Sequence, residues 1–547
     1  MTSPGVDVVF HGGHVRTVDD MRPAAEAVAV AGGRIVAIGD DADITSLAGS
    51  HTRVIDLRGR TLLPGFQDAH VHPVTSGLHR LQCDLTNGTT AEDYVRLVAD
   101  YVARHPERPV VTGSGWSLTA FDGGTPSRAL LDRVVADRPV ILENRDGHGS
   151  WVNSVALRTA GVDASTPDPS DGRIEREPDG SPQGTLHEGA AVLVEQLIPE
   201  PTEDEWLEGA RLGQAELHRF GITAWQEAQG TDGVLDAYRG LAERGELTGR
   251  VTVAQSWDTE RGIDQIEVMV ERRSSRAADR LRADRVKLFL DGIAENFTAS
   301  MLEPYLGADG RPTNERGLKL FDADELQAVV QAVDAAGFHV HCHAIGDRAV
   351  RDGLDAIEHA MGANPAWDRR PTIAHIQFIH PDDLPRFRRL GVVANGQPLW
   401  AIHEAQMDRL TIPIVGPERA SWQYPFGSLL RAGAPLAFGS DWSVSTADVL
   451  AEIEVAVRRV WPGHRDAKPF FPHECISLEA AVRAFTLGAA YVNGIDDVTG
   501  SISVGKLADL VVVDRDLFGP DVLPADARVL LTMIEGEAVF EDPALEG

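Results

Sequence analysis

LLPGFQDAHVH, residues 62–72, is an apolar run that ends in two histidines separated by one residue. Read as a strand, its side chains alternate with a period of two, so His70 and His72 point to the same face. Two imidazoles from one strand can share one metal ion, and neutral nitrogen donors suit such an ion. Asp68 has the same parity and is placed to hydrogen-bond a ligand from behind. Seven further apolar runs follow: GITAWQEA (221–228), RVTVAQSW (250–257), RVKLFLDG (285–292), HVHCHAIG (339–346), PTIAHIQF (371–378), GVVANGQP (391–398) and PLAFGSDW (435–442). Most are followed by helical periodicity. In FDADELQAVVQAVDAAG (321–337), Asp322 stands where an N-cap belongs and Gly337 ends the helix. Eight strands alternating with helices close a (β/α)8 barrel, whose chemistry gathers at the C-terminal strand ends.

The remaining sequence organises around that barrel. Residues 6–63 and the last fifty residues show short alternating apolar segments broken by Gly-Gly, Arg-Gly or Glu-Gly pairs, the pattern of hairpins. The fold class predicted is α/β, a (β/α)8 TIM barrel with a small composite β-sandwich from both termini and an inserted subdomain after the first strand. Residues 1–62 and 498–547 form the sandwich and 63–497 the barrel, with the insertion at about 80–210. The interval from His72 to Gly221 is too long for one helix and carries its own strand-like pieces, PVVTGSGW and PVILENRDGHGSWVN. Insertions of this kind sit on βα loops, where they wall a pocket.

Composition narrows the function classes. The 547 residues carry 51 Lys and Arg against 83 Asp and Glu, a formal net charge of −32. Such a surface repels phosphate backbones and anionic headgroups, which argues against nucleic-acid and membrane partners and for a small-molecule substrate. Hydrophobic residues are 43% of the chain, enough for a packed core. The N-terminal stretch lacks the basic start and apolar run of a secretory signal, so a cytoplasmic location is expected. Cys83, Cys342 and Cys475 are isolated thiols without metal-ligand spacing.

Reactive residue types fall at the ends of the predicted strands. HVHCHAIGD places His339, His341 and His343 on one face at three depths. His343, nearest the C-terminal end, is the expected ligand, and His341 is the alternative. His375 adds an imidazole near the end of the sixth strand. Lys287 lies within an apolar strand, where an ammonium faces a costly interior. A buried amine of lowered pKa can add carbon dioxide, and the resulting carbamate is an anionic oxygen ligand able to bridge two cations. Asp441, after the eighth strand, can hold a metal and accept a proton.

LLPGFQDAHVH, VKLFLDG (286–292), HAIGDRA (343–349), AHIQ (374–377), GSDWSV (439–444) and GKLADLVV (505–512) together resemble the amidohydrolase superfamily. Within it, the resemblance is to the branch containing N-substituted formamide deformylase, and DGHGSWVNSVAL (146–157) matches its insertion. The resemblance implies a metal-dependent hydrolase. His70 and His72 would bind a more buried ion, His343 and His375 a more exposed one, and carbamylated Lys287 would bridge them. One or two Zn2+ ions are implied, with Mn2+ or Fe2+ as variants, and possession of a homodimer interface is an expectation. The predicted reaction is cleavage of an amide-type C–N bond, in an N-formyl or N-acyl amine, by a metal-activated hydroxide. Asp441 would be general base and acid and His343 the second catalytic residue. Ester or lactone hydrolysis, deamination and isomerisation are alternatives on the same site, and a non-catalytic scaffold is a remote one. Candidate substrate contacts are Trp116, Asp146, His148 and Asn153 in the insertion, with Trp400 and His403 after the seventh strand.

Overall fold

A computed structural model describes residues 5–169 and 171–546. Eight parallel strands form one sheet: β1 (Phe66–Val71), β2 (Ile222–Gly230), β3 (Arg250–Ser256), β4 (Leu281–Phe289), β5 (His339–Ala344), β6 (Thr372–His375), β7 (Val393–Gly396) and β8 (Leu436–Phe438). Each pairs with its sequence neighbour, so the spatial order is the chain order. Helices such as Glu203–Arg219, Asp232–Glu243, Ala323–Ala335 and Asp347–Ala363 alternate with the strands. This is a (β/α)8 barrel. The apolar core lies between strands and helices, where Trp225, Val251, Val286, Leu288 and Val340 meet Tyr238, Leu326, Val330 and Leu354. Among the described residues, no helix is long and apolar enough to cross a membrane.

Local sequence explains most element ends. Thr202 and Glu205 form a reciprocal capping box that starts the helix Glu203–Arg219. Asp322 does occupy the N-cap of Ala323–Ala335, but its side chain makes no capping bond, so that start relies on packing. Residues 62–72 divide into two strands: Thr61–Pro64 pairs within the terminal sheet, and Phe66–Val71 begins the barrel. The break falls at Gly65, where a Cβ would meet Thr223 Cγ2 at 2.4 Å. A close backbone approach therefore lets the chain leave one sheet and enter the other.

The flanking sheets draw on distant parts of the chain. One six-stranded sheet joins Thr61–Pro64, His14–Arg16 and Ala24–Ala25 to Leu510–Val513, Val529–Ile534 and Glu537–Glu541. A four-stranded sheet from residues 8–56 shares a core with it, containing Phe10, Val28, Leu62, Val512 and Leu531. Arg250, at the start of β3, forms ion pairs with Asp509 and Glu535 and so ties the barrel to these strands. Another six-stranded sheet is built wholly from residues 83–188 and packs around Tyr94, Trp116, Leu142 and Trp151.

The seam between β1 and β8 is closed by polar groups. Asp441 N donates to His70 O at 2.8 Å, and His72 N donates to Trp442 O at 3.0 Å. Asp68 accepts from Ser440 Oγ at 2.6 Å, Ser440 N at 3.1 Å and His70 N at 2.9 Å. Its carboxylate therefore latches the seam, and burial pushes its pKa up to about 7. Gly439 sits inside this seam, where a Cβ would lie 2.5 Å from His70 N and 2.8 Å from Asp68 Oδ1. Gly439→Ala is expected to destabilise the fold by about 1–3 kcal/mol, the cost of overpacking a tight interior. Thermal unfolding checks this, and an unchanged Tm would mean that the seam relaxes freely.

Candidate metal centre

Strand register gathers the donors. Lys287 on β4 lies opposite His341 on β5, Phe289 opposite His343, and Ala344 opposite His375 on β6. His70 Nε2 faces Lys287 Nζ at 3.3 Å and Asp441 Oδ1 at 3.6 Å. His72 Nε2 lies 3.1 Å from Asp441 Oδ1, and His375 Nδ1 lies 3.8 Å from Asp441 Oδ2. The His375 ring stands 4.4 Å from that of His343 and 4.7 Å from that of His70. Donor atoms of His70, His375 and Asp441 all fall within 4.8 Å of one another. His343 Nε2 is 3.4 Å from Gly292 O, which leaves Nδ1 for other partners. His341 lies deeper, with Nε2 2.8 Å from His70 Nδ1 and Nδ1 beside Gln226.

The electrostatics favour donors over charged bases. Burial, followed by neighbouring Lys287 or imidazole groups, holds His70, His343 and His375 far below the ordinary histidine value. They are neutral imidazoles. Burial likewise lowers Lys287 to about 8, with Asp441 opposing. For His72, burial acts downward, but the Asp441 and Glu227 carboxylates outweigh it and push the ring up to about 9.

One atom tests whether a cation suits this set. Asp441 Oδ1 is buried and accepts no hydrogen bond, although two ring nitrogens face it. Ligand atoms each about 2.1 Å from one ion at tetrahedral angles lie about 3.4 Å apart. The separations around Asp441 Oδ1, 3.1 Å and 3.6 Å, bracket that value. A divalent ion fits the donors. Backbone strain marks the same place, since His375 and Asp441 have φ of 74° and 51°, the left-handed region that costs non-glycine residues about 1–3 kcal/mol.

The amidohydrolase family model matches residues 53–540. The chain belongs to the amidohydrolase family. This amidohydrolase is 32% identical to protein LONG AFTER FAR-RED 3 of Arabidopsis thaliana, over 98% of this chain and 91% of that one. It is 26% identical to the N-substituted formamide deformylase of Arthrobacter pascens, over 98% of each chain. A crystal structure of an uncharacterised metal-dependent hydrolase from Pyrococcus furiosus superposes with a TM-score of 0.71 at 25% identity, covering 94% of this chain and 100% of that one. The amidohydrolase is thus a hydrolase.

The substrate-contact candidates separate into two groups. His148 Nδ1 pairs with Glu188 Oε2 at 2.8 Å, and its ring stands 5.4 Å from that of His343. Burial acts downward on His148, but Glu188, first among the nearby carboxylates, pushes it up to about 9. Trp400 stacks on His375 at 5.5 Å with an interplanar angle of 18°. Asp146 is half-buried, accepts from Gln406 Nε2 at 3.4 Å, and is raised by burial. His403 bonds Asp408 at 2.8 Å and borders a cavity of about 410 Å3 with Trp461 and Lys468.

Trp116 and Asn153 differ from that expectation, because their polar atoms are already engaged within the insertion. Trp116 is 0% exposed, donates Nε1–H to Leu142 O at 2.8 Å and packs edge-on against Phe121 and Trp151. Asn153 caps the helix Ser154–Ala160, accepts from Ala156 N and Val140 N, and donates to Val135 O and Arg138 O.

Several polar neighbours of this amidohydrolase's centre escaped the sequence reading. Gln226 and Asn395 donate to Ala69 O, Gln397 meets His375 Nδ1 at 3.2 Å, and Glu227 faces His72. Asp291 accepts from Ser300, Ile345 and Gly346 amides and lies 3.7 Å from His343 Nε2. Their signal was a polar residue inside an otherwise apolar strand run, near a predicted ligand.

Proposed function

We propose that the protein hydrolyses an amide-type C–N bond in an N-formyl or N-acyl amine. His70, His72, Lys287, His343, His375 and Asp441 would hold one or two divalent cations. Zinc suits the imidazole-rich set best, and manganese or iron can take the same donors. The observation that carries the reading is Asp441 Oδ1, a buried acceptor that makes no hydrogen bond although the Nε2 atoms of His70 and His72 face it. The similarity to a formamide deformylase supports the choice of bond.

A cation at these donors supplies a water of lowered pKa and polarises a carbonyl oxygen. Asp441 takes the proton lost by the attacking water and later delivers it to the leaving nitrogen. His148, held protonated by Glu188, stands beside His343 and donates a hydrogen bond to the substrate oxygen. Trp400, parallel to His375, forms a flat wall for the acyl or amine group. Lys287 Nζ, brought to about 8 by burial, attacks carbon dioxide, so that an N–C bond forms and a proton is released. The carbamate replaces a costly buried ammonium with an anionic ligand.

The test is metal analysis of purified protein together with a screen of N-formyl amines, N-acyl amines, cyclic amides and esters. Stoichiometric metal with turnover of an N-formyl or N-acyl amine is expected. Turnover confined to esters would reject the C–N assignment, and protein inactive on every class after zinc or manganese loading would reject hydrolysis.

A further inference from the structure

The metal-centre reading leaves one buried carboxylate unexplained. Glu227 lies on β2, is 0% exposed, and its Oε1 makes no hydrogen bond. Among the described residues, the basic side chain in ion-pair range of it is His72, whose Nδ1 is 3.6 Å from Oε1 and is likewise without a hydrogen bond. A carboxylate buried opposite a single imidazole costs free energy unless that imidazole needs it. We propose that Glu227 is the positioning residue that orients His72 for the cation.

Two features aim it. The pairing of β1 with β2 shifts register here, with Trp225 opposite Asp68 and Glu227 opposite Val71, so the extra residue lies on β1; Glu227 keeps the face of Trp225, beside the end of β1 that leads into His72. Trp225 Nε1 then donates to Tyr238 Oη at 3.0 Å, and an indole N–H cannot accept in return. The Tyr238 hydroxyl therefore turns its proton to Glu227 Oε2, 3.1 Å away. With Oε2 satisfied, Oε1 is left for His72. With Nδ1 facing Oε1, Nε2 is the ring atom directed at the space beside Asp441 Oδ1, 3.1 Å away. The carboxylate thus fixes both ring orientation and tautomer, which is how outer partners tune a metal-binding histidine.

This inference rests on the metal-centre reading, and the experiment separates the two. Zinc affinity of the purified apo-protein is measured by chelator competition for wild type, Glu227→Ala, Glu227→Gln and Tyr238→Phe, with absorption spectra of the cobalt-loaded forms. Glu227→Ala is expected to weaken zinc binding about 10–100-fold. Glu227→Gln should recover part of the loss, because an amide oxygen still accepts from Nδ1–H. Tyr238→Phe should weaken binding in the same direction by less. The cobalt spectrum should keep its shape throughout, since no ligand is lost. Wild-type zinc uptake with unchanged affinity in every variant overturns this inference alone. A changed cobalt spectrum in Glu227→Gln also overturns it, by making Glu227 a ligand. Wild-type protein that takes up no zinc overturns the metal-centre reading and this inference together. Where Glu227→Ala fails to fold, the Gln and Phe variants, which keep the packing, decide the outcome.

Discussion

Asp441→Asn is expected to lower kcat by about 10²–10⁴-fold, the usual worth of a positioned acid–base group. Asparagine keeps the shape of aspartate and an oxygen at the Oδ1 position, between His72 Nε2 and His70 Nε2. It cannot take the proton that the attacking water must lose. The strained backbone at residue 441, with φ of 51°, also tolerates asparagine better than most residues. Metal content measured on the same sample separates proton transfer from ligation. Near-normal turnover with metal retained would remove the proton-transfer role.

Lys287→Ala is expected to cost more than the roughly 100-fold upper range for outer partners, because on the proposed reading it deletes a ligand itself. The truncation opens a space beside His70 Nε2, which lies 3.3 Å from Lys287 Nζ. Formate or acetate added at millimolar concentration should restore part of the activity by placing carboxylate oxygens where the proposed carbamate would stand. A larger acid that cannot enter this buried space should not. Full activity in the variant without any added acid would end the role given to Lys287.

The barrel was legible because its strands fall in largely apolar runs of about the right length, interrupted by single polar residues, a signature of strands covered on both faces. The ends were less so. The runs 371–378 and 435–442 both overshot, since β6 stops at His375 and β8 at Phe438. Positive φ at His375, Ile376 and Asp441 turns the chain there; histidine and aspartate adopt it more readily than most residues, but nothing in the run marks where it falls. The ligand candidates were visible from parity and chain order. Glu227 was not, because strict alternation from Gln226, which points into the barrel, sends it to the outer face with Trp225, and its meeting with His72 there depends on the register shift in β1, a tertiary effect. Trp116 and Asn153 misled for the opposite reason: residue types that suit ligands also suit a core and a helix cap, and the sequence alone does not say which task absorbs them.

The latch between the first and last barrel strands shares its residues with the chemistry. His70 and Asp441 donate and accept across that junction through their main chains while their side chains converge on one point. On the proposed reading, an ion bound at that point would fasten the two ends of the cylinder to each other, so occupancy and rigidity would rise and fall together. Starvation for metal would then remove more than turnover: it would loosen the stave on which the whole hoop closes.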